Sequence, residues 1–254
     1  MVKATKGLME VNMNISILSL MAVLILAGNT WADGIVFTPT TANRTIVSGI
    51  ETTGLARGPA FQVFDPNGTL RLSQFVLNPD FTDLQVFAAN TIAVAGEVFV
   101  AGGVETRGLR RGPAYQVFDF FGRLLLTRFV LNPDFSEVIF TKIDVNNDGV
   151  DEILVVGRET RGLARGPAFQ LFTDNGVLLV TQFVLNPDFT NITVFAVDQN
   201  VNGDKEIGIG GVETTGLRRG PAYQIFESNG ILLLTRFALN PNFSALSSLA
   251  GPLP

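Results

Sequence analysis

Apolar residues in this chain come in short runs, each cut by a turn signal before it is long enough for a helix. The stretch from Thr193 to Phe243 shows the pattern. Val194-Phe195-Ala196-Val197 ends in an acidic turn. Glu206-Ile207-Gly208-Ile209-Gly210 alternates branched apolar residues with glycine, which in a strand marks close backbone approach on one face. Pro221 to Phe226 is a third β-rich run. Asn229-Gly230 then gives the strongest two-residue hairpin signal. Ile231 to Leu239 predicts a fourth strand, and Asn240-Pro241 presets the closing turn. Outside the N-terminal segment no stretch carries a helical period.

The same pattern occurs four times. Glu-Thr-(Thr/Arg)-Gly-Leu-(Ala/Arg)-Arg-Gly-Pro-Ala starts at Glu51, Glu105, Glu159 and Glu213, a spacing of 54 residues at each step. A fixed period of this length marks a repeat architecture. Four antiparallel strands in each of four units predict an all-β, β-propeller-like fold, in which packing the units around an axis buries their faces. The units run over about 35–81, 82–135, 136–189 and 190–243, in one domain spanning 33–254. An open β-solenoid or a fibre-forming sandwich is the alternative. The tail, 244–254, begins in register with the first strand of a fifth unit.

The N-terminus differs. Lys3 and Lys6 precede an apolar run of about 13 residues, and Thr30 and Ala32 occupy the −3 and −1 positions of a small-residue cleavage site. A membrane-spanning helix needs about 20 apolar residues. Residues 1–32 therefore read as a secretory signal peptide, giving an exported or surface-held chain without membrane insertion. Asn29 stands where a lipoprotein box needs Cys, and the chain has none. Removing Lys3, Lys6 and Glu10 takes the net charge from −5 to −6. No basic face for nucleic acid is expected.

Without Cys, stability outside the cell must come from a core or from metal. A 46% hydrophobic chain with 21 Phe permits the first. Its lack of His removes the commonest general base, and no other catalytic constellation is legible, so no enzyme is expected.

Two loops suggest the second. From Asp144 to Glu152, oxygen side chains fall at positions one, three, five and nine (Asp144, Asn146, Asp148, Glu152), with Gly149 for the turn and the Val150 carbonyl as a further ligand. Calcium takes six to eight such oxygens; an uncomplexed acidic hairpin is the alternative. Asp198, Asn200, Asn202 and Glu206 repeat the spacing, with Asp204 in place of Val150. Asn202 in place of an acid, and Lys205 alongside, predict weaker binding at this second loop. In the second unit the same positions fall on Asn90, Ile92, Val94 and Val98, which predict no site.

These loops, in the segments IFTKIDVNNDGVDEILVVG and VFAVDQNVNGDKEIGIGG, resemble the FG-GAP/VCBS repeat of integrin-type β-propellers and bacterial surface proteins. The resemblance covers about residues 35–243. It implies a propeller with calcium at Asp144, Asn146, Asp148 and Glu152 and at Asp198, Asn200, Asn202 and Glu206. The family's Gly-Ala-Pro element is replaced here by Glu-Thr-Xaa-Gly, and four units are fewer than the seven of integrin-type rings.

The units also alternate. Ala56, Phe61 and Gln74 of the first become Arg110, Tyr115 and Arg128 in the second; the third returns to the first set, and the fourth carries Arg218, Tyr223 and Arg236. The pattern reads either as duplication of a two-unit ancestor or as a two-fold interaction surface. The recurring Arg57, Arg111, Arg165 and Arg219 are expected to pair with Glu51, Glu105, Glu159 and Glu213; a ring of arginines that binds an anion or a sugar acid is the alternative. Together these features predict a secreted structural or adhesive module whose partners are other proteins or further copies of itself, as in an extracellular filament. The alternative is a carbohydrate-binding surface module.

Overall fold

The computed structural model describes residues 36–40, 43–51, 58–76, 78–92, 96–107, 111–161, 165–215 and 220–238. The expected leader and tail, together with Val94, Arg57, Arg110, Arg218 and Arg219, lie outside the described residues.

The described chain is all-β, with four antiparallel sheets of four strands, each in sequential order. The first sheet holds β1 (Val36–Pro39), β2 (Thr45–Glu51), β3 (Gly58–Phe64) and β4 (Leu70–Phe75). The second holds β5 (Phe81–Thr91), β6 (Gly96–Glu105), β7 (Gly112–Phe118) and β8 (Leu124–Phe129). The third holds β9 (Phe135–Ile143), β10 (Glu152–Glu159), β11 (Gly166–Phe172) and β12 (Leu178–Phe183). The fourth holds β13 (Phe189–Val197), β14 (Glu206–Glu213), β15 (Gly220–Phe226) and β16 (Leu232–Phe237).

Sequence patterning explains each strand type. The third strand of every sheet reads Gly-Pro-Ala-Phe/Tyr-Gln-aliphatic-Phe, and in the second and third sheets its Gln is half-buried among buried neighbours. The hairpin that follows closes on a glycine with φ between 80° and 86° (Gly68, Gly122, Gly176, Gly230), a conformation that is costly for residues with a Cβ. The fourth strand alternates exposed and half-buried positions, as an edge strand with one face in solvent does.

One boundary differs from the sequence reading. Phe81, Phe135 and Phe189, which close the sequence units, open the first strands of the next sheets, where they pair with Glu105, Glu159 and Glu213. The Asn-Pro turn ends the previous sheet, so the aromatic ring beyond it already belongs to the next one. Asp83, Glu137 and Asn191, two residues on, adopt φ of 53–55° at a bulge in each first strand.

The core lies between sheets. One cluster joins the first and second (Ile46, Phe61, Phe99, Phe118), another the second and third (Tyr115, Phe140, Val155, Phe172), and a third the third and fourth (Leu154, Phe169, Ile207, Phe226). Among the described strands, contacts run first to second, second to third and third to fourth; none joins the fourth to the first. Burial follows this order. Every residue of β14 is buried, and so are seven of the eight in β10, but only two of the seven in β2.

Candidate metal loops and inter-sheet contacts

The two acidic loops occupy equivalent places, Asp144–Asp151 between β9 and β10 and Asp198–Lys205 between β13 and β14. They fold alike. Asp144 Oδ1 accepts the Asp148 amide at 3.1 Å and its Oδ2 accepts the Gly149 amide at 2.9 Å. Asp198 does the same for Asn202 at 3.1 Å and Gly203 at 3.0 Å. Asn146 and Asn200 each offer an oxygen to the same central amide. Glu152 and Glu206 reach back to the amides of Val145, at 3.2 Å, and Gln199, at 2.6 Å. The left-handed residues are Asn147 and Gly149 in one loop and Val201 and Gly203 in the other. Val201 spends backbone strain to keep the shape, because a β-branched residue avoids this region.

Burial pushes the Glu152 carboxyl above its ordinary range, and the neighbouring Asp148 and Asp144 carboxylates add to the effect. All the side-chain donors are oxygens, which fits a hard cation. In this conformation they bond to the loop's own amides. Among the described residues no three acidic groups converge on one point. Asp204 Oδ2 accepts the side-chain amide of Asn202 at 3.4 Å, and the Asp204 backbone N–H donates to Asn202 Oδ1 at 2.8 Å.

The first two sheets do without such loops. Thr91 pairs directly with Gly96, so Asn90 and Val98 are strand residues, while Ile92 is 75% exposed. Asp151 then does something the spacing does not announce. It turns from its own loop to accept Lys142 Nζ at 2.9 Å and the Asn90 amide at 2.8 Å, tying the third sheet to the second. Asp174 makes a parallel tie to Thr91 Oγ1 and the Ile92 amide.

Among the described residues, no arginine holds Glu105, Glu159 or Glu213. Glu105, Glu159 and Glu213 accept the side-chain amides of Asn78, Asn132 and Asn186 at 2.6–2.7 Å. Each asparagine belongs to the Asn-Pro turn of the preceding sheet, so each bond clasps one sheet to the next. Arg111 and Arg165 are exposed. The second carboxylate oxygen of all three glutamates is buried without a partner, which offsets part of what each clasp contributes.

The alternating residues also sit between sheets. Tyr115 is wholly buried, correcting its assignment to an outer surface: the ring meets Phe172 of the third sheet edge-on at 5.8 Å, and its hydroxyl has no partner. Desolvation pushes that hydroxyl's pKa far up. Phe61 and Phe169 make the same contact with Phe118 and Phe226. Arg128 donates to the Gly176 carbonyl in the third sheet's hairpin and lies 5.9 Å from the Phe172 ring. Tyr223 is half-buried and Arg236 exposed, and these two remain available to an interaction surface.

No protein-family model and no curated protein matches this chain.

Proposed function

We propose that the chain is an exported, calcium-stabilised interaction scaffold whose sheets are successive blades of an open, propeller-related array, and that it works by binding protein, including further copies of itself. The FG-GAP/VCBS reading stays with this proposal and rests on the two acidic loops. One observation carries the interaction reading: apolar exposure repeated in register. Leu70, Leu124, Leu178 and Leu232 are each 45–49% exposed, and Phe75, Phe129, Phe183 and Phe237 are each 39–46% exposed. All eight lie on the fourth strands, at the edge of each sheet. A repeated row of large apolar groups on strand edges suits a surface that meets another protein.

The calcium part is supported by two loops of the same fold with oxygen donors only. The carbohydrate alternative loses ground because Tyr115, one of the chain's two tyrosines, is buried and so offers a sugar no platform. The test is to immobilise the exported chain and offer the same chain in solution with calcium, alongside a glycan array. Binding to itself and silence on the array is the expected result. Binding to glycans without binding to itself overturns the reading.

A further inference from the structure

The contact between one sheet and the next is a set of matched halves translated by 54 residues. Its outgoing half on a sheet comprises a Phe or Tyr on the third strand, a Leu or Val and a Gln or Arg on the fourth, and the Leu-Asn-Pro turn beyond. Its incoming half on the following sheet comprises a Glu, a Gln and a Phe on the second and third strands, and the hairpin glycine. Three of these steps are filled. Leu72, Leu126 and Val180 occupy the space a Cβ would take at Gly122, Gly176 and Gly230. Gln170 and Gln224 accept the Leu131 and Leu185 amides at 2.8 and 2.6 Å.

The first sheet carries a complete incoming half with nothing in it among the described residues. Phe64 is half-buried, whereas Phe118, Phe172 and Phe226 are 2–3% exposed. Nothing lies within 4 Å of the Cβ position at Gly68. Gln62 is held by Ser73 at 3.3 Å in the pose that Thr181 and Thr235 impose on Gln170 and Gln224, but its oxygen accepts nothing among the described residues. The residue 27 places before Glu51 is Leu24, where the other three sheets place an asparagine.

The fourth sheet carries the strand residues of the outgoing half: Tyr223, Leu234 and Arg236. Among the described strands, none of this sheet touches the first sheet.

From this we infer that the fourth sheet of one copy docks on the first sheet of the next, reproducing the internal step between the second and third sheets, so that copies add head to tail. This rests on the self-association proposed above and names its surface. The alternation decides which internal step is copied. Tyr and Arg belong to even sheets and face odd ones: Tyr115 meets Phe172, and Arg128 meets Gly176. Tyr223 and Arg236 on the fourth sheet thus face Phe64 and Gly68 of the first, an even-to-odd step again. The two-unit period runs through the junction unbroken. Such an interface joins two different surfaces of the same chain, and unless the rotation closes it extends without limit.

The test uses two capped chains. Tyr223→Asp destroys the outgoing half and Phe64→Asp the incoming half. Arg236→Glu, at an exposed position, and Gln62→Lys, at a polar one, are second variants for each half should either aspartate unfold the chain, as circular dichroism will show. Each variant alone is expected to lose at least about tenfold in association constant. An equal mixture of the two is expected to stop at a dimer, because one intact half remains on each partner. Assembly of single variants as large as the parent's overturns the inference and leaves self-association standing through another surface. A mixture that stays monomeric overturns it as well. A parent chain that is monomeric at every concentration overturns both.

Discussion

The contacts between sheets and the connections at their ends follow opposite rules. Between sheets, the same Asn–Glu clasp recurs at all three internal steps, at 2.6–2.7 Å each time. The first-to-second-strand connections differ in every sheet but the last two: a turn at 40–44, a direct Thr91–Gly96 pairing, then two acidic loops. Packed contacts tolerate little change because interiors are dense and leave no room for a new shape. A solvated connection needs only to satisfy its own backbone. Function that varies along the array therefore has room at the loops, while the steps between sheets keep one design.

The sharpest way to break that comparison is to remove an inter-sheet ring. Phe169 is fully buried and meets Phe226 at 5.5 Å. Phe169→Ala is expected to cost about 3–5 kcal/mol, read by chemical denaturation. A cost below that of a surface change would mean the sheets do not share a core.

Calcium removal comes next. At calcium a hundredfold above its dissociation constant, a loop that binds only when folded adds about 2.7 kcal/mol. At roughly 2–4 °C per kcal/mol, chelator is expected to lower the melting temperature by about 5–10 °C. Asp144→Ala is expected to abolish most of that difference, because Asp144 organises two loop amides. The metal-free loop has its own pH signature. Glu152 holds its proton more tightly folded than unfolded, so its contribution to stability grows as pH falls from neutral through the raised pKa and levels off below the unfolded value. Glu152→Gln should flatten this dependence without metal and remove the gain from calcium.

A smaller effect of opposite sign sharpens the comparison. Tyr115→Phe deletes a buried hydroxyl with no partner and installs the ring found at Phe61 and Phe169. It is expected to stabilise the isolated chain by about 1 kcal/mol; a loss of similar size would show that the hydroxyl has a partner in solution. The smallest change belongs to Arg123, whose side chain is 73% exposed and pairs with Asp119 at 3.1 Å. Arg123→Ala should stay within about 0.5 kcal/mol.

Much of this was legible in the sequence. The period, the strand runs and the Gly-centred hairpins follow from local chemistry, and so does the kinship of the two acidic loops. What escaped the reading depended on the neighbouring sheet. Tyr115 and Arg128 alternate as surface residues do, and only the next sheet packing over them reveals an internal contact. Glu105 looked made for an arginine within its own motif, yet its partner Asn78 lies 27 residues earlier, in a turn that seemed complete by itself. Asp151 reads as part of a metal loop but serves a neighbouring strand. Phe81 looked like the end of a unit because the Asn-Pro signal precedes it so closely.

Sedimentation velocity of the exported chain in calcium, over about a hundredfold range of concentration, tests the scaffold reading most directly. An array that continues from one copy to the next predicts a sedimentation coefficient that keeps rising past the dimer as concentration increases. A single monomeric species throughout, or a plateau at the dimer, would contradict it.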